Sequence, residues 1–107
     1  GANITGADAS RNAIQQARAN YPDLRFEVWN VLEIPEDFDI IIANCVLRHL
    51  VDDIHKGFRV LRKRALKALC ILGALDDLLP EDDPPDVIHD FGLDSLGRPH
   101  RARIWKR

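Results

Sequence analysis

Two polar residues stand where apolar segments end and the chain must turn. Asp8 ends the short run from Asn3 to Asp8, and Asn30 stands near the end of the alternating run from Leu24 to Val31. A carboxylate at the C-terminal end of a strand can accept both hydroxyls of a ribose, and a polar side chain after the next strand can contact the amino group of an adenine. The plainer alternative is that Asp8 only helps the helix after Ser10 begin. Metal chemistry is not expected. Cys45 and His49 are four apart and His55 is near, but no further cysteine or carboxylate converges at a recognised ligand spacing. Charge is segregated along the chain: residues 76–94 hold eight acids and no Lys or Arg, residues 56–67 hold six bases, and residues 98–107 hold five more. Basic stretches can bind phosphates, and Trp105 between Ile104 and Lys106 could stack on a base. The plainer reading is a solvated helix face, a charged edge strand and a Trp that anchors a core or edge, so no nucleic-acid partner is expected.

The chain that must position these residues has 107 of them, 46% hydrophobic and 30% charged, with a net charge of −2. Those proportions belong to a globular chain and exclude a disordered or fibrous one. We expect a single domain over residues 1–107, long enough to bury about two-thirds of its unfolded surface. No apolar run approaches the roughly 18–20 residues of a membrane span, and no leader pattern is visible, so no membrane partner is expected. Both cysteines, Cys45 and Cys70, sit inside apolar runs. That excludes a disulfide scaffold and points to a reducing, cytoplasmic setting.

Residues 3–8 form a strand candidate. Ser10 is placed as an N-cap, and Ala13, Ile14 and Ala17 follow at helical spacing until Asn20-Tyr21-Pro22-Asp23 stops the helix. Residues 24–31 alternate as a strand does. Residues 38–43 carry a β-branched run, Ile40-Ile41-Ile42, and are expected to form a strand buried on both faces. Residues 51–66 carry an amphipathic helical pattern, with Ile54, Phe58, Leu61 and Ala65 on one side. Residues 68–75 form another buried strand candidate. Residues 87–91 and 102–106, joined through Gly92, Gly97 and Pro99, read as an antiparallel hairpin at one sheet edge. Strand, helix, strand, strand, helix, strand is an α/β order, and strands without a polar face call for a parallel sheet covered by helices.

Four of these segments, in order, resemble the class I S-adenosylmethionine-dependent methyltransferases. Ile4-Thr5-Gly6-Ala7-Asp8-Ala9-Ser10 is similar to the second strand of that family. Phe26 to Leu32 resembles its third strand and adenine-side turn, Phe38 to Leu50 its fourth strand and the segment after it, and Arg59 onward to Ala74 its next helix and fifth strand. The resemblance implies a Rossmann-like, mostly parallel sheet with helices on both faces and a C-terminal antiparallel hairpin. It implies S-adenosylmethionine as the cofactor, with Asp8, Ala9, Asn30, Val31 and Asn44 along it. Asn44, Arg48 and His49 would face the site, His49 as the catalytic base. His49 equally suits a helix-end residue bonded to a carbonyl.

The sequence also departs from that family. Only Gly1, Ala2 and Asn3 precede the second-strand motif, where the family has its first strand and glycine-rich loop. Arg62 to Leu66 replaces a Pro-Gly-Gly turn. The expected form is therefore a single truncated methyltransferase-like domain without the first βα unit. Either its second and fourth strands close up on each other, or another chain supplies a strand, or the sequence is a piece of a longer protein; closing up would expose apolar surface, and a homodimer or a partner-dependent chain is expected. The function implied is methyl transfer to an unspecified acceptor, by an enzyme or a fragment of one. The alternative is a catalytically inactive methyltransferase-like module that acts through protein–protein contacts.

Overall fold

The computed structural model describes residues 3–73 and 78–107. The chain divides into an N-terminal unit, Gly1–Ile34, and a C-terminal unit, Pro35–Arg107.

The N-terminal unit is one strand–helix–strand motif. β1 (Thr5–Asp8) and β2 (Arg25–Val28) pair in parallel, with Thr5 beside Arg25 and Asp8 beside Val28. Between them lies α1 (Arg11–Asn20). Ser10 caps it as expected: its hydroxyl accepts the Ala13 N–H at 3.2 Å. At the other end the Tyr21 N–H reaches the Ala17 carbonyl at 2.9 Å, and Pro22 prevents another turn. The Arg18 guanidinium ties α1 to β2 by donating twice to the Phe26 carbonyl, at 2.7 and 3.3 Å. β2 is shorter than the alternation over residues 24–31 predicts. Asn30 explains the loss: its side-chain oxygen accepts the Leu32 N–H at 3.0 Å and starts a 3₁₀ turn, Val31–Glu33. A short polar side chain that bonds its own backbone competes with a sheet ladder.

Gly6 is required by close approach. A Cβ there would lie 2.7 and 2.8 Å from two atoms of the Phe26 ring. Gly6→Ala should therefore destabilise the N-terminal unit by about 1–3 kcal/mol, the usual penalty for overpacking. Thermal unfolding followed by circular dichroism would measure it, and the penalty should shrink in a Phe26→Leu background.

The C-terminal unit is built on a four-stranded sheet in the order β3-β4-β6-β5. Its strands are β3 (Phe38–Asn44), β4 (Ala65–Gly73), β5 (Val87–Leu93) and β6 (Pro99–Lys106). β3 and β4 are parallel, whereas β6 is antiparallel to both β4 and β5. The expected hairpin is present, with β5 at the sheet edge and β6 inside. Residues 74 and 75, in the strand candidate over 68–75, lie outside the described residues. Among the described residues the second- and fourth-strand motifs are not paired: β1 pairs with β2 in one sheet, and β3 pairs with β4 in the other.

α2 (Ile54–Arg64) begins three residues later than the helical pattern predicts. A 3₁₀ segment, Leu47–Asp53, precedes it, and within that segment Val51 has φ 54° and ψ −99°. A β-branched residue in this conformation is strained. At its other end α2 runs straight into β4. Ala65 is both the helix C-cap and the first strand residue, and its N–H donates to the Leu61 carbonyl. No turn stands at residues 62–66.

Ile54, Phe58 and Leu61 form the buried stripe of α2. Phe58 meets Trp105 with ring centroids 5.0 Å apart. Trp105 and Leu69 are register partners on β6 and β4, and Phe58, Leu69, Ile71 and Trp105 are all buried. This is the core of the unit. Trp105 is 1% exposed and its Nε1 donates to the Asp83 carbonyl at 2.9 Å, so it anchors the core and cannot stack on a base. The opposite sheet face corrects the expectation that β3 is buried on both sides: Ile40 is 61% and Ile42 67% exposed.

The segregated charges meet in space. Arg62 donates to both carboxylate oxygens of Asp83, at 2.8 and 3.1 Å. Arg59 lies 3.8 Å from Asp82, Arg64 lies 3.0 Å from Asp37, and the Lys106 N–H donates to Asp86 at 2.6 Å. Asp82 and Asp83 of the acidic segment are thus held against the basic helix. The hydrogen bond from Arg62 holds the Asp83 carboxyl below its ordinary value against the opposing effect of burial. A carboxylate with a depressed pKa adds stability above its unfolded pKa of about 3.9, and that stability is lost as pH falls through the folded value. The pair is partly solvated, so we expect a contribution of about 1 kcal/mol. Denaturant titrations should show stability falling below about pH 4, and Asp83→Asn should flatten that fall.

Candidate nucleoside site at the strand ends

In the N-terminal unit the parallel register sets the ends of β1 and β2 side by side. The Trp29 N–H donates to the Asp8 carbonyl at 3.1 Å, which carries the pairing one step past the strands. Asp8 and Ala9 are exposed at the end of β1, Asn30 is exposed just past β2, and Val31 is half-buried beside it. These four residues are brought together. One oxygen of Asp8, Oδ1, accepts the Ser10 N–H at 2.8 Å and so helps start α1. Its other oxygen has no hydrogen-bond partner among the described residues. The two readings of Asp8 are compatible, one for each oxygen. Asn30 also serves twice: Oδ1 holds the Leu32 N–H, while a second lone pair and both amide N–H groups stay available.

Asn44 and His49 lie in the C-terminal unit. Asn44 is exposed at the end of β3, in register with Leu72. Cys45 follows with φ 57°, and its N–H donates to the Leu72 carbonyl at 2.9 Å. The His49 N–H donates to the Val46 carbonyl at 3.2 Å inside the 3₁₀ segment. The His49 ring is exposed and makes no hydrogen bond among the described residues. The Arg48 side chain lies outside the described residues.

All these positions follow the C-terminal ends of parallel strands, where α/β sheets bind ligands. The left-handed backbones at Cys45 and Val51 were not legible in the sequence. Such conformations are signalled by Gly or Asn, and neither residue type is present there. Gly92 and Gly97 do have positive φ, but they serve the β5–β6 hairpin and its turn, not a ligand loop. Burial pushes the Cys70 thiol up, which makes it a poor nucleophile. Among the described residues no cluster of His, Cys, Asp and Glu could hold a metal ion, and no helix is long and apolar enough to cross a membrane.

A family model described as a methyltransferase domain matches residues 1–72. Solved structures share the fold. The magnesium protoporphyrin IX methyltransferase ChlM from Synechocystis PCC 6803, with bound SAM, superposes with a TM-score of 0.77 at 15% identity, over 100% of this chain and 60% of that one. The N-methyltransferase NodS from Bradyrhizobium japonicum WM9, in complex with S-adenosyl-l-homocysteine, gives a TM-score of 0.78 at 15% identity, over 98% of this chain and 66% of that one. The chain thus spans less than two-thirds of the length of either. No curated protein matches the sequence. The family match over residues 1–72 and the Rossmann-like α/β fold agree, and the chain belongs to the methyltransferase domain family.

Proposed function

We propose that this chain takes part in methyl transfer from S-adenosylmethionine, and that its N-terminal unit holds the nucleoside end of the cofactor. The observation that carries this reading is the placement of Asp8 and Asn30 at adjacent ends of the parallel β1–β2 pair, with one oxygen of Asp8 uncommitted. Asp8 accepts the ribose hydroxyls. Asn30 meets the adenine edge, and Ala9 and Val31 flank the base. When bound, the sulfonium of the cofactor supplies the methyl group. The family resemblance assigns Asn44 to the cofactor and His49 to the proton of an acceptor that has one to lose. The residues fit the nucleoside end. Among the described residues no glycine turn follows a strand paired with β1, so we assign no residue to the methionine end. Neither cysteine is in a disulfide among the described residues, and we place the protein in the cytoplasm on that ground.

Isothermal titration calorimetry with S-adenosylhomocysteine tests the reading. We expect saturable binding that His49→Gln leaves intact. Absence of binding at about 1 mM ligand, a free energy near 4 kcal/mol, would overturn it. The exposed Ile40 and Ile42 favour a second reading, a catalytically inactive module that acts through protein contacts, and the same absence of binding would select it.

A further inference from the structure

We propose that Leu47–Asp53 is a two-state hinge, in which a strained backbone at Val51 sets where His49 stands. The pattern of the chain and its path conflict there. Leu47, Val51, Ile54, Phe58 and Leu61 are spaced by four, three, four and three residues, the stripe of one continuous helix. Leu47, Ile54, Phe58 and Leu61 are buried, whereas Val51 is 71% exposed. The chain leaves the helical path at Val51, with φ 54° and ψ −99°.

Two independent features oppose this form. A β-branched side chain is hindered at positive φ, where glycine is at ease. Asp53 is the N-cap residue of α2, with φ −104° and ψ 18°, yet its side chain makes no capping hydrogen bond. Aspartate caps well from an extended backbone, which Asp53 does not have. Both features belong to the backbone of this segment, so neither depends on what packs over it. One rearrangement removes both. If α2 starts at Val51, that residue takes a helical φ of about −63°. Asp52 and Asp53 then enter the first turn, where carboxylates favour the positive end of the helix dipole.

Anchors at both ends hold the strained form. The Cys45 N–H is bound to the Leu72 carbonyl of β4 at 2.9 Å, Leu47 is fully buried, and Ile54 is buried at the start of α2. Strained residues persist where their surroundings over-determine them, and they gather at ligand sites and switches. His49 lies between the anchors, two residues before the kink, with its N–H on the Val46 carbonyl. When α2 starts at Val51, the chain ahead of it follows another path and the His49 ring takes a second position. A ligand that touches the ring in one position only shifts the balance between the two. That use of the hinge rests on the role proposed for His49; the existence of the hinge does not.

Opposed substitutions in the full chain test the proposal, with readouts that need no cofactor. Val51→Gly relieves the positive φ and should raise the thermal unfolding midpoint by about 2–5 °C. Within a helix the same change lowers the midpoint, so a fall would overturn the strain at Val51. Val51→Pro, with φ fixed at about −65°, forbids the kink but suits the first position of a helix. It should gain helical far-UV ellipticity and displace the NMR resonances of the His49 ring, which Val51→Gly should leave at their parent positions. Leu50→Ser puts a capping hydroxyl just ahead of Val51 and should move the same resonances in the same direction, without relying on a proline. A His49 ring that keeps its parent resonances in Leu50→Ser would overturn the second state, whether or not Val51→Pro folds.

Discussion

Phe58→Ala is expected to destabilise the C-terminal unit by about 3–5 kcal/mol, the range for truncating a fully buried aromatic side chain. Phe58 is 0% exposed and packs with its ring tilted 59° against Trp105, which is itself 1% exposed. A cavity there loosens both α2 and the β4–β6 pair. Folded domains are stable by only about 5–15 kcal/mol, so the variant should sit close to unfolding at room temperature. Urea titration would show the midpoint shift, and Phe58→Leu should retain roughly half of the loss because the cavity is smaller. A shift below about 1 kcal/mol for Phe58→Ala would mean that α2 is not what closes this core.

The largest functional effect is expected at Asp8. Hydrogen bonds to a charged group contribute about 1.5–3 kcal/mol each, so loss of the carboxylate that our proposed function assigns to the two ribose hydroxyls should weaken S-adenosylhomocysteine binding by at least about 10²-fold. Asp8→Ala alone confuses two roles, because it also removes the acceptor for the Ser10 N–H. Asp8→Asn separates them. The amide carbonyl can still hold Ser10 and start α1, but the second oxygen and the charge are gone. Asp8→Asn should therefore fold with near-normal stability and bind as poorly as Asp8→Ala. If it binds like the parent chain, the assignment of the ribose to Asp8 fails.

Local chemistry was the part of this fold that the sequence revealed best. Ser10, Pro22 and the spacing of Ala13, Ile14 and Ala17 mark α1 because capping, proline and helical periodicity act over a few residues. Asn30 shows the limit of such reading. It lies on the alternating pattern of a strand, yet its own side chain draws the backbone into a turn, and periodicity alone does not weigh that competition. Val51 shows another limit. The apolar spacing of α2 extends back to it, but the chain kinks there through a conformation that a valine does not advertise. The β-branched run of β3 was correctly read as a strand. Its burial was not, since burial depends on what covers the strand and composition reports only what the strand can tolerate. For the candidate site, the positions of Asp8, Ala9, Asn30 and Val31 at neighbouring strand ends were legible from the motif order. The double duty of Asp8 was not, because it depends on which oxygen meets the Ser10 N–H.

The junction at Ala65 leaves the chain no slack between α2 and β4. One residue inserted there would turn the helix by about 100° about its axis, or exchange the two faces of the strand. The angular phase of one element is thereby locked to the inside–outside parity of the next, like two gears on a common shaft. Length variation should be purged at that joint, whatever happens in the flanking loops. A one-alanine insertion after Arg64 is a sharper probe of this coupling than any substitution on either element.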